Sequence, residues 1–230
     1  MKQRALAVDA NTTLTSSAYQ RLRQDILSAE LKPGARITIR YLQENYEIGP
    51  TPLREALARL SADGFVIGED NRGFRVPPVS LAALKDITDQ RKLIECAGLR
   101  RSIEEADDEF ESRLVGTFHA LSRLEERRDA GDPDAYPLWE AQHRNFHHAL
   151  ISGAKSEWLG RFQDILFDQA DRYRRYYDRE AAHRPDIALD HKQILEATLE
   201  RDADLATVLL ARHIERVYAI AKASGEIPER

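Results

Sequence analysis

The chain has 230 residues, enough for one large domain or two modest ones with cores of their own. With 42% hydrophobic and 32% charged residues it reads as an ordinary folded protein rather than a disordered one, and a single cysteine, Cys96, excludes an intramolecular disulfide framework. The net charge of −5 is unevenly spread: residues 1–79 hold 11 Lys/Arg against 9 Asp/Glu and residues 80–230 hold 23 against 30, so an anionic partner would suit only the first part.

In chain order, residues 1–14 show neither apolar periodicity nor the apolar run of a signal peptide and are expected as an arm. No later segment is apolar enough to span a membrane, and the lone cysteine fits a reducing compartment, so the expected location is the cytoplasm. Ser16 or Ser17 can cap a helix that carries Tyr19, Leu22 and Ile26 on one face as far as about Glu30. Lys32-Pro33-Gly34 forces a turn, Ile37 and Ile39 suit a short strand, and a helix follows over Arg40–Tyr46. In the next helix Leu53, Ala56, Leu57 and Leu60 recur at i, i+3, i+4 and i+7, so that face packs inward. Thr51, Arg54, Glu55, Ala58 and Arg59 then look outward. From Phe65 to Val76 alternating residues form a hairpin around Asn71-Arg72-Gly73.

Two short helices, a tight turn and a hairpin make a winged helix-turn-helix over residues 15–76. Its second helix presents small and guanidinium side chains, which suits the major groove, where arginine pairs bidentately with guanine. The basic tip at Asn71, Arg72 and Gly73 suits a phosphate or the minor groove, although an ordinary hairpin turn would look the same.

Pro77-Pro78 stops the strand, and residues 77–80 read as a linker. Beyond it every segment reads as helix, near 80–106, 108–129, 134–152, 155–180, 183–200 and 202–224. The chain is therefore expected to be mainly α, with an antiparallel helical bundle over 81–224 and a tail at 225–230. No Gly-rich phosphate loop or repeat appears. His143 and His147 lie four apart and share a face with Trp139, Phe146 and Leu150; His191 falls in register with Ile187, Ile194 and Leu195, and His213 with Leu209, Val217 and Ile220. Four imidazoles on three helices thus point toward one core, where a shared metal ion would satisfy them; four separately hydrogen-bonded core histidines are the alternative. His148 faces outward, and His119 and His183 lack partners. Arg91 shares a face with Leu84, Ile87 and Ile94 and wants an anion, either a ligand or Glu95 one turn on. Arg172, in register with Phe162, Ile165 and Gln169 and followed by Tyr173, is a second candidate for an anionic ligand. No further acid or base is evident beside the histidines.

The words PTPLREALARLSADGFV and NRGFRV resemble the DNA-binding domain of GntR-family bacterial transcription regulators, and QHRNFHHALISGAKSEWL with DHKQILEATLERDADLATVLLARHI resembles the FCD effector domain of its FadR subfamily. The resemblance implies base and phosphate contacts from Arg40, Thr51 and Arg54, with Arg59 alongside. Pro50 stands where the family often carries a base-reading arginine. It also implies a metal held by His147, His191 and His213, with His143 where the family has an aspartate, a change that favours zinc or nickel over manganese. Free positions of the ion would face a cavity for a small carboxylate, possibly a dicarboxylate, with Arg91, Arg172 and Tyr173 as effector contacts. The expectation is a homodimeric, non-enzymatic regulator that binds a palindromic operator on double-stranded DNA, a repressor more than an activator. Its competitors are a metal-dependent hydrolase and a DNA-binding dimer with a purely structural helical domain.

Overall fold

The computed structural model describes residues 13–69, 73–174 and 185–230, in two compact units, 1–79 and 80–230. In the first unit, α1 (Leu14–Leu27) begins where Thr13, in extended backbone, accepts the amide N–H of Ser16 at 3.2 Å. The cap is Thr13 rather than Ser16 or Ser17, so the helix starts inside the segment expected as an arm, and it stops at Leu27, short of Glu30. Ala18, Leu22 and Ile26 form its buried face.

Strand β1 is only Arg36–Ile37, because Thr38 caps the next helix through the N–H of Tyr41 and draws Ile39 into it. Helix α2 (Ile39–Tyr46) ends on Glu47 at φ 56°, a left-handed position that costs a side chain. Helix α3 (Pro50–Ala62) opens on Pro50, whose missing N–H costs nothing in a first turn, and buries Leu53, Ala56, Leu57 and Leu60 completely. Strands β2 (Ile67–Glu69) and β3 (Gly73–Arg75) complete an antiparallel sheet of order β1-β3-β2, with Phe74 opposite both Ile37 and Gly68. Gly73 has φ +91°, and a Cβ there would stand 2.6 Å from the carbonyl oxygen of Ile37, so only glycine lets the strands approach.

Among the described residues the second unit has six helices: α4 (Leu81–Glu104), α5 (Asp108–Asp129), α6 (Ala135–Ser152), α7 (Glu157–Asp171), α8 (Pro185–Leu199) and α9 (Ala203–Ser224). Helix α4 packs on α9, α7 and α6, and α5 packs on α6 and α8. Small residues permit the closest crossings. A Cβ on Gly98 would stand 2.9 Å from Ile151, and one on Gly153 the same distance from Ser102. Leu99, Leu114, Phe146, Leu150, Ile194 and Leu210 lie at the centre of the core.

Two expectations fail here for local reasons. Helix α7 ends at Asp171 and turns through Arg172–Arg174, rather than running to 180, and it buries Gln163, Phe167 and Ala170 while Phe162 and Ile165 face solvent. The register that aligned Arg172 with those two residues therefore does not hold. Residues 225–230, expected as a tail, pack on the start of α4: the carbonyls of Pro228 and Glu229 accept its first N–H groups, from Leu81 and Ala82, and Ile227 is buried. They satisfy donors that an isolated helix end would leave open.

Candidate metal centre and nucleic-acid face

Helix α6 carries His143 and His147 one turn apart on its buried face; α8 contributes His191 and α9 contributes His213. All four rings are buried, and one nitrogen from each lies within 4.8 Å of one from every other. The Nε2 atoms of His147 and His213 are 3.3 Å apart. The cluster is walled by Trp139, stacked on His143 at 4.8 Å, and by Phe146 and Phe167.

Behind the rings stands a layer of carboxylates that the sequence did not reveal. Glu95 of α4 lies 2.9 Å from His147 Nδ1, Glu125 of α5 lies 2.9 Å from His191 Nδ1, and Asp190 of α8 approaches His213 Nδ1 at 3.5 Å. The expectation that no acid lies beside the histidines is thereby corrected. Adjacent positions on a helix point about 100° apart, which is how Asp190 can address α9 while its neighbour His191 enters the cluster. Glu95 and Glu125 come from helices that carry no histidine of the cluster, so spacing, which offered Glu95 only as a partner of Arg91, gave no sign of their place behind the rings.

Burial dominates the electrostatics. It holds the His143 imidazole well below its usual pKa, reinforced by His147 and the Arg174 guanidinium, and lowers His213 to about 3 against the pull of Asp190. It lowers His147 to about 4 despite Glu95. Burial would raise Glu95, but Arg91 and His147 outweigh it and hold the carboxyl at about 2. At neutral pH the imidazoles of His147 and His213 are therefore neutral and face carboxylates, the protonation pattern a metal ion requires of its ligands.

The donor set fits a divalent ion. With ligands at about 2.0–2.1 Å, the nitrogens of a tetrahedral zinc site lie roughly 3.3–3.4 Å apart, the separation of His147 and His213. The Nε2 of His191 is buried without a hydrogen-bond partner, an arrangement that a cation would relieve. Among the described residues the donors are four imidazoles, with no thiolate or directly facing oxygen.

Arg91 is 3% exposed; its Nε donates to Glu95 Oε1 at 2.7 Å and its guanidinium covers Phe167 at 4.7 Å. It thus reaches the cluster through Glu95 and His147. Arg172 is buried and donates to Gln169 at 2.9 Å. Tyr173 is buried with its hydroxyl on the backbone of Ser80, and burial pushes its pKa up. Arg174, which sequence reasoning passed over, meets the cluster: its Nη2 lies 3.2 Å from His143 Nδ1. His148 faces Asp164 at 3.0 Å on the outer side of α6, and His183 lies outside the described residues.

On the first unit, Thr51, Arg54, Glu55, Ala58 and Arg59 are exposed along α3. Thr15 on α1 holds Glu55 at 2.7 Å, and the Arg59 guanidinium lies 4.4 Å over the ring of Tyr19. The Arg40 side chain is 90% exposed and pairs with Glu44 one turn on. Asn71 and Arg72 lie outside the described residues.

Residues 14–76 match the gntR family of bacterial regulatory proteins, and residues 86–216 match the FCD domain. Among curated relatives, the HTH-type transcriptional regulator BphR of Paraburkholderia xenovorans is 37% identical over 213 residues, covering 93% of this chain and 87% of the relative. The HTH-type transcriptional repressor GlaR of Escherichia coli is 32% identical over 209 residues, covering 88% and 93%. The solved structure of E. coli McbR/YncC superposes with a TM-score of 0.73 at 22% identity, covering 93% of this chain and 99% of that one. A GntR regulator from Rhodococcus sp. RHA1 gives 0.70 at 21%, covering 92% and 99%.

Proposed function

Since the chain belongs to the GntR family of transcriptional regulators, in its FadR-like branch with an FCD domain, we propose that it is a homodimeric repressor released from its operator by a small carboxylate bound at a metal centre. The observation that carries this reading is the buried imidazole cluster. Four clustered and buried imidazoles, three of them facing carboxylates, are costly for a merely structural core, whereas an ion and its anionic ligand use all of them. The cluster of His143, His147, His191 and His213 would house the ion, zinc or nickel by donor type. When bound it supplies a Lewis-acidic centre to which a carboxylate is drawn. Arg91, buried and linked to the cluster through Glu95, and Arg172 with Tyr173 at the end of α7, are the effector contacts we propose.

Arg54, Thr51, Arg40 and Arg59 would meet the operator, with Asn71, Arg72 and Gly73 on its phosphates. Two copies of α3 about a two-fold axis would read a palindrome. Trp158, Phe162 and Ile165 form an exposed apolar stripe on α7, which supports the dimer within the helical unit. That GlaR and RspR of E. coli, at 32% and 25% identity, are named repressors supports the negative sign. Effector binding would change operator affinity by a coupling energy of about 1–3 kcal/mol.

The test is to enrich a genomic-fragment pool for DNA bound by the purified protein, then titrate the complex with mono- and dicarboxylic acids, with and without a chelator. Release by an acid, abolished by the chelator and by His147→Ala or His191→Ala without loss of basal DNA affinity, is expected. DNA binding indifferent to every acid and to the chelator would leave a DNA-binding dimer with a structural helical unit. Turnover of an acid would make the cluster a hydrolytic centre instead.

A further inference from the structure

The four imidazoles are wired in two different ways. His147 and His191 turn Nδ1 toward Glu95 and Glu125, each at 2.9 Å. A carboxylate only accepts, so each of these Nδ1 atoms carries the ring proton and each Nε2 keeps its lone pair. Among the described residues His213 has no hydrogen bond at Nδ1, which lies 3.5 Å from Asp190, and its Nε2 stands 3.3 Å from that of His147, so its neighbours leave its tautomer open to a cation between the two rings. His143 is the reverse. The Arg174 guanidinium has donors alone, so at 3.2 Å its N–H points at His143 Nδ1 and the ring proton must sit on Nε2. One nitrogen is used as an acceptor and the other already holds hydrogen. Whichever edge of His143 faces the other rings, it has no free lone pair to give. The arrangement is braced: His143 stacks on Trp139 with an interplanar angle of 19°. Arg174 also pairs with Asp171 at 3.0 Å and lies over Trp139 and Phe167.

We propose that His147, His191 and His213 alone ligate the cation, and that His143, its tautomer set by Arg174, is the N–H donor of the site, which selects a hydrogen-bond-accepting oxyanion such as a carboxylate. The inference rests on the metal-site reading above and narrows it. Three protein ligands leave a position open, as in sites that take an exogenous ligand, whereas four would close it. A donor beside that position favours an acceptor oxygen and disfavours an amine, which brings hydrogens of its own.

The test uses the full-length protein loaded with zinc. It measures zinc per chain by elemental analysis, zinc affinity by chelator competition and the number of imidazole ligands by X-ray absorption at the zinc edge. Wild type is expected to show one zinc on three imidazoles. His143→Ala should keep that zinc with Kd changed by less than about 10-fold, whereas His147→Ala and His191→Ala should each weaken it by more than the roughly 100-fold that losing an outer partner gives. Arg174→Met, which releases Nδ1 of His143, should raise the imidazole count to four. Circular dichroism confirms that each variant is folded before comparison. Four imidazoles in wild type, an unchanged count in Arg174→Met, or zinc loss in His143→Ala as deep as in His147→Ala overturns this inference and leaves the metal reading standing. A wild type that takes up no zinc or nickel ends both.

Discussion

Replacing Glu95 by Gln removes one charge and almost no volume from the interior of the helical unit. Glu95 is 1% exposed and accepts from Arg91 Nε at 2.7 Å and from His147 Nδ1 at 2.9 Å. Its carboxyl sits at about 2 in the fold against 4.5 otherwise, and at about 1.4 kcal/mol per unit that difference is worth roughly 3 kcal/mol. Because the folded value is the lower one, this contribution is complete above pH 4.5 and fades as the pH falls toward about 2; at pH 7.5 Gln removes all of it. Leaving a buried partner charge unpaired costs about 3–5 kcal/mol by an independent route, so the two scales agree. Both tryptophans, Trp139 and Trp158, belong to the helical unit, and their fluorescence in a urea titration of the metal-free chain follows that unit alone. The expected outcome is a loss of about 3 kcal/mol in Glu95→Gln, with zinc affinity lowered about 10- to 100-fold because His147 has lost a charged acceptor. The double variant Arg91→Met/Glu95→Gln should recover much of the stability, since no uncompensated charge remains, yet none of the zinc affinity. An unchanged midpoint in the single variant would refute the claim that this carboxylate holds Arg91 and His147 together.

Three further outcomes follow from single residues. Arg54→Ala should weaken specific DNA binding by about 1–3 kcal/mol in a mobility-shift titration while leaving the circular dichroism spectrum intact; equal affinities would remove Arg54 from the interface. Glu47→Gly should stabilise the first unit by about 1 kcal/mol, because glycine occupies the φ 56° end of α2 without a Cβ penalty, and a calorimetric melt that is unmoved or lowered would count against it. Burial pushes the half-buried Cys96 thiol up to about 11 from 9.0, so at pH 7.5 its thiolate is about 100-fold scarcer and a disulfide reagent should label it more than about tenfold slower in the native chain than in urea. Equal rates would show that the thiol is not shielded.

How much of this was legible in the sequence depends on the distance over which each signal acts. The period of Leu53, Ala56, Leu57 and Leu60 declared the inner face of α3, and those four side chains are fully buried. The quoted words identified the family, and the mainly helical fold with a winged helix-turn-helix followed from the same patterns. Ends were harder. Thr13, Ser16 and Ser17 are all competent caps, and which one wins depends on the backbone just outside the helix. The same holds at α7, where the turn at Arg172–Arg174 interrupts a helical pattern and changes which face is buried.

A one-dimensional pattern could say that His143 and His147 share a helix face, since 3.6 residues per turn is a property of the chain itself, and it could say that His191 and His213 each belong to an apolar face. That three helices bring those faces to one point, that Glu95, Glu125 and Asp190 arrive behind the rings, and that Arg174 reaches His143 after α7 has ended were decided by packing between segments distant in the chain, 66 residues apart for Glu125 and His191. Proton position follows the same division. The sequence specifies an imidazole; only the neighbour folded against it, a carboxylate or a guanidinium, specifies which nitrogen keeps its lone pair.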